Sequence, residues 1–276
     1  FYNALLFNQP LGSWDVSNVE TMNSMFYNAS SFNQDISGWN VSKVENMTNM
    51  FDDSSFNQNI SNWIVSNVTS MDNMFSFCPF DQPLNSWNVS SVTSMNNMFS
   101  NATSFNQPIY NWDVSGVISM DSMFEGATSF NQDISGWDVT GVTSMDSMFY
   151  NATSFNQPIG KWNIANVTDI SGMFYNASSF NQSLYNWTNV FDFSNESYPF
   201  DVSSQIDVNN LFEGATSLQY YILTGDVSND NIQSAVNLLE SSTDEYALYY
   251  KPISEWNVSN VTDMSGLFQQ DSSFNE

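Results

Sequence analysis

Tryptophan recurs along this chain at intervals of 24 or 25 residues, and this spacing constrains the fold more than any other feature. Eight tryptophans keep the interval, and a ninth, Trp256, follows after a longer gap. The regular positions are Trp14, Trp39, Trp63, Trp87, Trp112, Trp137, Trp162 and Trp187. A period of this length is typical of repeat proteins, in which each unit contacts only its neighbours.

Other residues repeat in register with the tryptophans. Each regular Trp is preceded by Phe at seven residues and by Ile or Leu at three, and it is followed at eleven and twelve residues by Met-Phe in most repeats. The segment FNQDISGWDV at 130–139 nearly duplicates FNQDISGWNV at 32–41. One unit of about 25 residues cannot bury these side chains alone, so stacked units are predicted to share one continuous core.

We therefore predict a solenoid of about 10–11 coils, with one short parallel β-strand and a short helical or 3₁₀ turn in each repeat. Trp-x-Val alternates with period two, which favours a strand. The following stretch, such as 17–30, places apolar residues three and four apart, which favours a helix, kept short by Ser, Asn and Thr. A strand on the Met-Phe stretch is an alternative register that the sequence leaves open.

The repeats divide the chain into three parts. Residues 1–187 are regular, 188–248 are degenerate repeats with insertions in the same solenoid, and 249–276 resume the regular pattern. The segment 230–246 has the composition of a short extra helix. Residue 1 has the phase of Phe26 and the chain ends on FNE, so we expect an array truncated at both ends.

Equivalent side chains of stacked coils are predicted to form ladders. The eight regular tryptophans form an aromatic ladder. An amide ladder joins Asn8, Asn33, Asn57, Asn106, Asn131, Asn156 and Asn181. Asp81 replaces Asn in this column and is expected to be its weak rung, because it lacks the amide N–H₂ group. Cys78 falls in an alanine column and is interpreted as a small buried residue.

Composition excludes several classes of function. The net charge is −26, with three Lys, no Arg and no His. This charge repels nucleic acid and anionic lipid, and no apolar run is long enough to insert into a membrane. The absence of His and Arg removes most catalytic constellations, so we expect no enzyme. Carboxylate chemistry on polysaccharides is the remaining enzymatic alternative, with Asp52 and Asp53, or Asp113 and Asp138, as candidates.

Two further kinds of site are suggested by repeated polar residues. Asp15, Asp113 and Asp138 follow their tryptophans directly and are weak candidates for holding Ca²⁺, the only cofactor considered. Fifteen Asn-x-Ser/Thr sequons occur. The glycosylation candidates are Asn28, Asn101, Asn151, Asn176, Asn40, Asn88 and Asn257. Asn181 also lies in a sequon but belongs to the presumed ladder and is expected to be unmodified.

The motif resembles that of a known family, the BspA-like leucine-rich-repeat surface proteins. Their repeat has the form MxxMFxxAxxFNxxIxxWxVSxVxxM, which MDSMFEGATSFNQDISGWDVTGVTSM at 120–145 matches. The resemblance covers 1–187 and 249–276. It implies a leucine-rich-repeat-like solenoid at a cell surface or outside the cell, associated with adhesion and without catalytic residues.

Two binding roles follow as expectations. The first is adhesion or protein–protein assembly, with proteins or glycans at a surface as partners. The second is a structural subunit of a virus particle or extracellular filament, built by end-to-end stacking of copies. Recognition is expected at outward positions that vary between repeats, such as Tyr110, Lys161, Tyr185 and the insertions of 188–248.

Overall fold

The computed structural model describes residues 1–182 continuously, together with 184, 187, 206, 210–215, 226–228 and 257–260. The regular elements within these residues are a 3₁₀ helix at Ile159–Lys161 and two strands, β1 at Asp226–Ser228 and β2 at Asn257–Asn260. β1 and β2 pair in parallel. The segment 230–246 lies outside the described residues. In the part of the chain that is described, no helix is long and apolar enough to cross a bilayer.

Consecutive repeats lie directly on one another, and we call the chain of one repeat a coil. Six parallel backbone bridges join seven successive coils in the described part of the chain, each through the residue seven positions after the Trp. The bridging residues are Thr21, Asn46, Ser70, Ser94, Ser119, Ser144 and Asp169. They lie four residues before the Met-Phe pair as isolated bridges, so within residues 1–182 no strand forms in either of the two registers that the sequence left open. By contrast, β2 directly follows Trp256.

The stretch after each bridge is a series of turns, where the sequence predicted a helical segment. Alternate amides donate to the next coil: Met22 N to Asn46 O at 2.9 Å, and Ser24 N to Thr48 O at 2.8 Å. The amide of Met25 instead donates three residues back, to Met22 O at 3.1 Å. An α-helix uses every interior amide within its own segment. The amides that donate to the neighbouring coil cannot also form helical hydrogen bonds, so only isolated turns form.

Two positions in each coil adopt a left-handed backbone, ten and fourteen residues after the Trp. The first column is Ser24, Asn49, Asn73, Asn97, Ser122, Ser147 and Gly172; the second is Asn28, Asp53, Phe77, Asn101, Gly126, Asn151 and Asn176. Asn and Gly tolerate this conformation best. Ser or Asp occupies four of the fourteen positions, and Phe77 is the one large apolar residue among them, with φ 49° and a side chain that is 60% exposed. The four-residue spacing of these turns produces the apolar periodicity that resembled a helix.

The repeated apolar residues form one continuous core through the described coils. Phe124, for example, is fully buried, with ring centroids 5.7 Å from Phe99 in the preceding coil and 5.8 Å from Phe149 in the next. Trp137 stacks on Trp112 at 6.4 Å, with the ring planes 2° apart. Burying rings of this size contributes about 2–3 kcal/mol each to folding.

The tryptophans also bond each coil to the one before. From Trp39 to Trp162, every indole N–H donates to the carbonyl of the Ile or Leu at the start of the preceding coil's Trp turn, at 3.0–3.3 Å. These bonds satisfy a polar group inside an apolar core. Trp14 differs, because 49% of its surface is exposed. Trp187 is buried, and its Nε1 has no hydrogen-bond partner within the described residues.

The asparagine column forms a ladder in which the side-chain oxygen accepts two bonds from the next coil, and in two coils the backbone oxygen accepts one as well. Asn131 Oδ1 accepts from Asn156 N at 2.9 Å and from Gln157 Nε2 at 2.8 Å. Asp81 Oδ1 accepts in the same way, from the Asn106 amide at 3.0 Å and the Gln107 side chain at 2.9 Å. The expectation that Asp81 is the weak rung is therefore wrong in its premise, because a carboxylate supplies the oxygen that the ladder needs.

This geometry predicts different outcomes for two substitutions in the column. Asp81→Asn keeps the accepting oxygen and is expected to change the free energy of unfolding by less than about 0.5 kcal/mol. Asn131→Ala removes the acceptor for two donors and is expected to cost about 1–3 kcal/mol. Urea unfolding followed by tryptophan fluorescence measures both. A gain well above 1 kcal/mol for Asp81→Asn would show that the ladder needs the amide N–H₂ group after all.

Candidate functional site

The carboxylates that follow the tryptophans serve local turns. Asp113 Oδ1 accepts from Ser115 N at 3.2 Å and from its Oγ at 2.6 Å. Asp15 and Asp138 bond the residue two positions on in the same way, and these bonds lower the pKa of both carboxyls. All three side chains are exposed. Within the described ranges, no three Asp, Glu, Cys or His side chains are grouped as a metal site.

The Asn-Ala-Ser/Thr sequons lie in the second left-handed column. Asn176 Nδ2 donates to Asn151 Oδ1 at 3.0 Å, and Asn28 Nδ2 donates to Asn3 Oδ1 at 2.9 Å. Asn101 Nδ2 donates to the Ser100 hydroxyl at 3.0 Å. The nitrogen to which an N-glycan is attached is thus engaged in a hydrogen bond at Asn28, Asn101 and Asn176.

The other sequons lie in a different environment. Asn40 and Asn88 are exposed and use Oδ1, which accepts from the backbone N–H of Ser42 and Ser90. The side-chain nitrogens of Asn40 and Asn88 take no part in these bonds. Among the described candidates, these two positions are therefore the more accessible to glycosylation. Asn257 begins β2, and its side chain is outside the described atoms.

One column, thirteen residues after the Trp, was missed by the sequence reasoning. We call it the variable column; it comprises Tyr2, Tyr27, Asp52, Ser76, Ser100, Glu125, Tyr150, Tyr175 and Glu213. It lies between the invariant Phe of Met-Phe and a left-handed residue. Its Tyr, Asp and Glu side chains are half-buried or exposed beside this scaffold, whereas Ser76 and Ser100 are buried. Of the expected outward positions, Tyr110 and Lys161 are exposed, and Tyr185 is outside the described residues.

The variable column contributes to an acidic cleft of about 470 Å³. Its lining includes Tyr27, Asp52, Asp53, Phe77 and Glu125. Two of these, Asp52 and Asp53, are the carboxylates proposed from sequence for polysaccharide chemistry, and the cleft sets aromatic side chains near them. The other proposed pair, Asp113 and Asp138, is absent from this lining.

Asp52 is the most perturbed carboxyl of the cleft. Burial raises its pKa to about 6, and the charge of Asp53 acts in the same direction, while a hydrogen bond from Ser76 opposes both. A raised pKa means that the folded protein holds this proton more tightly than the unfolded chain does. Asp52 therefore lowers stability as the pH rises from about 4 to about 6.

The substitution Asp52→Asn tests this assignment. At pH 7 it is expected to stabilise the protein by about 1 kcal/mol or less, since the half-buried side chain is screened by solvent. At pH 3.5 the gain should vanish, because the native carboxyl is then protonated in both states. Thermal unfolding at the two pH values measures the difference, and Asp113→Asn, at an exposed position where other coils carry Asn, is the control. An equal effect of Asp52→Asn at both pH values would contradict the raised pKa.

A second ladder, also missed, runs through the residue after the first Met of each coil. Asp72 Oδ1 accepts from Ser94 Oγ at 2.5 Å and from Asn96 N at 2.8 Å. Asn96 Oδ1 repeats the arrangement with Ser119 Oγ at 2.6 Å and Asp121 N at 2.9 Å. The recurring Ser-Met-Asp/Asn triplet is its sequence signal. These carboxylates are half-buried and bonded between coils, so they belong to the scaffold.

Contacts that repeat every 24 or 25 residues define this molecule as a repeat protein. A family described as "Mycoplasma protein of unknown function, DUF285" matches it three times in succession, at residues 1–79, 77–187 and 188–276. The chain belongs to that family. No curated protein matches the chain.

Proposed function

We propose that the chain is a leucine-rich-repeat-like solenoid of ten to eleven coils that acts without enzymatic activity at a cell surface or outside the cell. Its role is adhesion or protein–protein assembly. The observation that carries the proposal is the contrast between buried columns that scarcely vary and a variable column that changes among Tyr, Asp, Glu and Ser. An invariant scaffold under a changing outer column is what a binding surface requires.

The proposal is tested with a scaffold control. Ser occupies the variable column at Ser76 and Ser100, so Ser is compatible with the fold there. A variant with Ser at Tyr27, Asp52, Glu125, Tyr150 and Tyr175 should keep the native circular dichroism. Beads coated with the native chain should attach to partner surfaces, and beads coated with the variant should lose most of that attachment. Equal attachment would overturn the binding role of this column.

Location is tested separately. A surface or extracellular protein is cut when protease is added to intact cells or particles of the native source, whereas an internal one is protected. If the chain is glycosylated, intact-mass measurement should show added hexose, with Asn40 and Asn88 as the first sites because their amides are exposed.

A second candidate is a polysaccharide-active enzyme, favoured by the acidic cleft alone. Asp52, whose pKa is about 6, is the group suited to donate a proton, and Asp53 or Glu125 would act as the second carboxylate. Release of reducing ends from a polysaccharide panel, abolished by Asp52→Asn, would favour this candidate over the binding role.

End-to-end assembly into a filament or particle is the third candidate. Each described coil bonds to the next through the same repeated contacts, such as the parallel bridge from Ser119 to Ser144, and stacking between copies would extend these contacts. Sedimentation over a range of protein concentrations tests this candidate, and association that rises with concentration is expected. A monomer at all concentrations would exclude end-to-end assembly.

A further inference from the structure

A second cleft, of about 450 Å³, begins in the coil that follows Glu125 of the acidic cleft. We call it the tyrosine cleft. It is lined by Asp146, Tyr150, Gly172, Tyr175 and Glu213, among others. Two tyrosines and two carboxylates thus meet in one concave surface.

The two tyrosines form a flat, ordered pair. Tyr150 and Tyr175 stack with centroids 4.5 Å apart and ring planes 5° apart. In the variable column, Glu125 precedes this pair and Glu213 follows it. The ring face that each tyrosine does not use for stacking is therefore on the side of a coil that carries a carboxylate. Glu213 lines the same cleft as Tyr175, and its charge raises the pKa of the Tyr175 hydroxyl.

The same order of side chains occurs at the other end of the described coils. Tyr2 and Tyr27 stack at 4.8 Å with ring planes 13° apart, and Asp52 follows them in the variable column. A tyrosine pair followed by a carboxylate therefore occurs twice, beside two separate clefts. The recurrence favours one kind of ligand chemistry for this face.

Gly172 keeps the tyrosine cleft open. A Cβ atom at this position would lie 3.1 Å from Ser147 Oγ and 3.6 Å from Tyr150 Cδ2. The left-handed backbone alone does not require glycine, because Ser147 and Asn97 adopt it at the equivalent position of other coils, each with φ 55°. The missing side chain leaves free the space beside the Tyr150 ring.

The charges of the cleft identify what fits in it. Neither Lys43 nor Lys161 lines the cleft. Asp146 belongs to the scaffold ladder and accepts from Ser147 Oγ at 3.1 Å and from Ser171 Oγ at 3.0 Å, so the exposed Glu213 is the carboxylate that the cleft offers to a ligand. A neutral sugar offers this carboxylate no opposite charge, whereas a guanidinium or ammonium group pairs with a carboxylate and also stacks on an aromatic face.

We infer that the tyrosine cleft binds cationic side chains, arginine above lysine, from a basic segment of a partner protein. Arginine is favoured because its planar guanidinium stacks on an aromatic ring and bonds a carboxylate at the same time. The inference names a partner chemistry for the proposed binding role, on which it rests.

The test uses the full chain and a fluorescent hexa-arginine peptide, with binding measured by fluorescence anisotropy at fixed ionic strength. A net charge of −26 attracts any polycation, so the informative variants are those that leave the charge unchanged. Tyr150→Ser with Tyr175→Ser is expected to weaken binding at least tenfold. Gly172→Asn is also expected to weaken binding at least tenfold. Asn adopts the left-handed backbone of this position, but its side chain fills the cleft.

The controls separate the cleft from bulk charge. Ser122→Asn makes the same kind of change in the equivalent position of a coil outside the cleft and is expected to leave affinity within twofold of the native value. A hexa-citrulline peptide, which is neutral and of similar shape, should not bind, and hexa-lysine should bind more weakly than hexa-arginine. Circular dichroism confirms that each variant is folded.

Two results would overturn the inference. One is equal hexa-arginine affinity for the native chain and the tyrosine and Gly172 variants, which would show attraction by net charge only. The other is binding of a neutral hexasaccharide that Gly172→Asn abolishes, which would identify a sugar site. If the peptide result fails while bead attachment persists, the cationic partner is excluded and the general binding role stands.

Discussion

Phe124→Ala is expected to lower the free energy of unfolding by about 3–5 kcal/mol, because it empties a fully buried site in the middle of the aromatic stack. The ring of Phe124 lies 4.0 Å from that of Phe130 and contacts the equivalent rings of both adjacent coils. Neither neighbour can move into the cavity without losing its own stacking. Urea unfolding monitored by circular dichroism measures the change.

The control for this substitution is Phe77→Asn, which also removes a phenyl ring. Phe77 is 60% exposed and holds a left-handed backbone that Asn adopts more readily. It is expected to leave stability unchanged or to raise it by up to about 1 kcal/mol. If both substitutions cost the same, the aromatic columns do not carry the stability of the stack.

Cys78 is expected to react with a thiol reagent at pH 8 about a thousandfold more slowly in the native protein than in urea. Burial raises the pKa of its thiol to about 12, against an ordinary value of 9.0, so the reactive thiolate is about a thousand times rarer. The thiol is completely enclosed and donates to Phe56 O at 3.1 Å. Absorbance of the released chromophore measures the rate.

The matched variant moves the thiol by one residue. Phe77→Cys combined with Cys78→Ala puts the thiol at an exposed position and the common alanine of the column at 78. This protein should label in the native state nearly as fast as in urea. Native Cys78 labelling within tenfold of the unfolded rate would mean that this coil opens readily, contrary to the packing around it.

The polar residues of this molecule fall into two groups, one that bonds the coils together and one that does not. Asn33, Asp72 and Asp113 bond the backbone of their own or a neighbouring coil, so their abundance reflects construction of the stack. Side chains of the variable column, such as Tyr150, are not tied into these ladders. Functional substitutions are therefore best placed in that column, where they leave the scaffold intact.

The sequence was sufficient to group residues into equivalent columns. The period of 24 or 25 residues identified Phe130, Ile134 and Trp137 as members of apolar columns, and all three are buried. It also aligned Cys78 with the buried alanines. Periodicity reveals such groupings because side chains that must fill the same space in every coil are held to the same size and polarity.

The candidate site was harder to predict from the sequence. Asp52 and Asp53 were identified as a pair, but the partner residues Tyr27, Phe77 and Glu125 come from other coils. The variable column was overlooked because its members share no chemistry. Its signal was a position that changes between coils, directly after the Phe of Met-Phe, which does not change in residues 1–182.

The sequence by itself determined the repeat unit, its length and which side chains are equivalent. Only the tertiary structure decided how the backbone runs within a coil, as in the turns at Met22 and Met25, and which atoms carry the ladders, as at Asp81. The physical reason is that these choices depend on hydrogen-bond partners 22–28 residues away. A local pattern records the spacing of residues, but the neighbouring coil determines which amides and oxygens remain to be bonded.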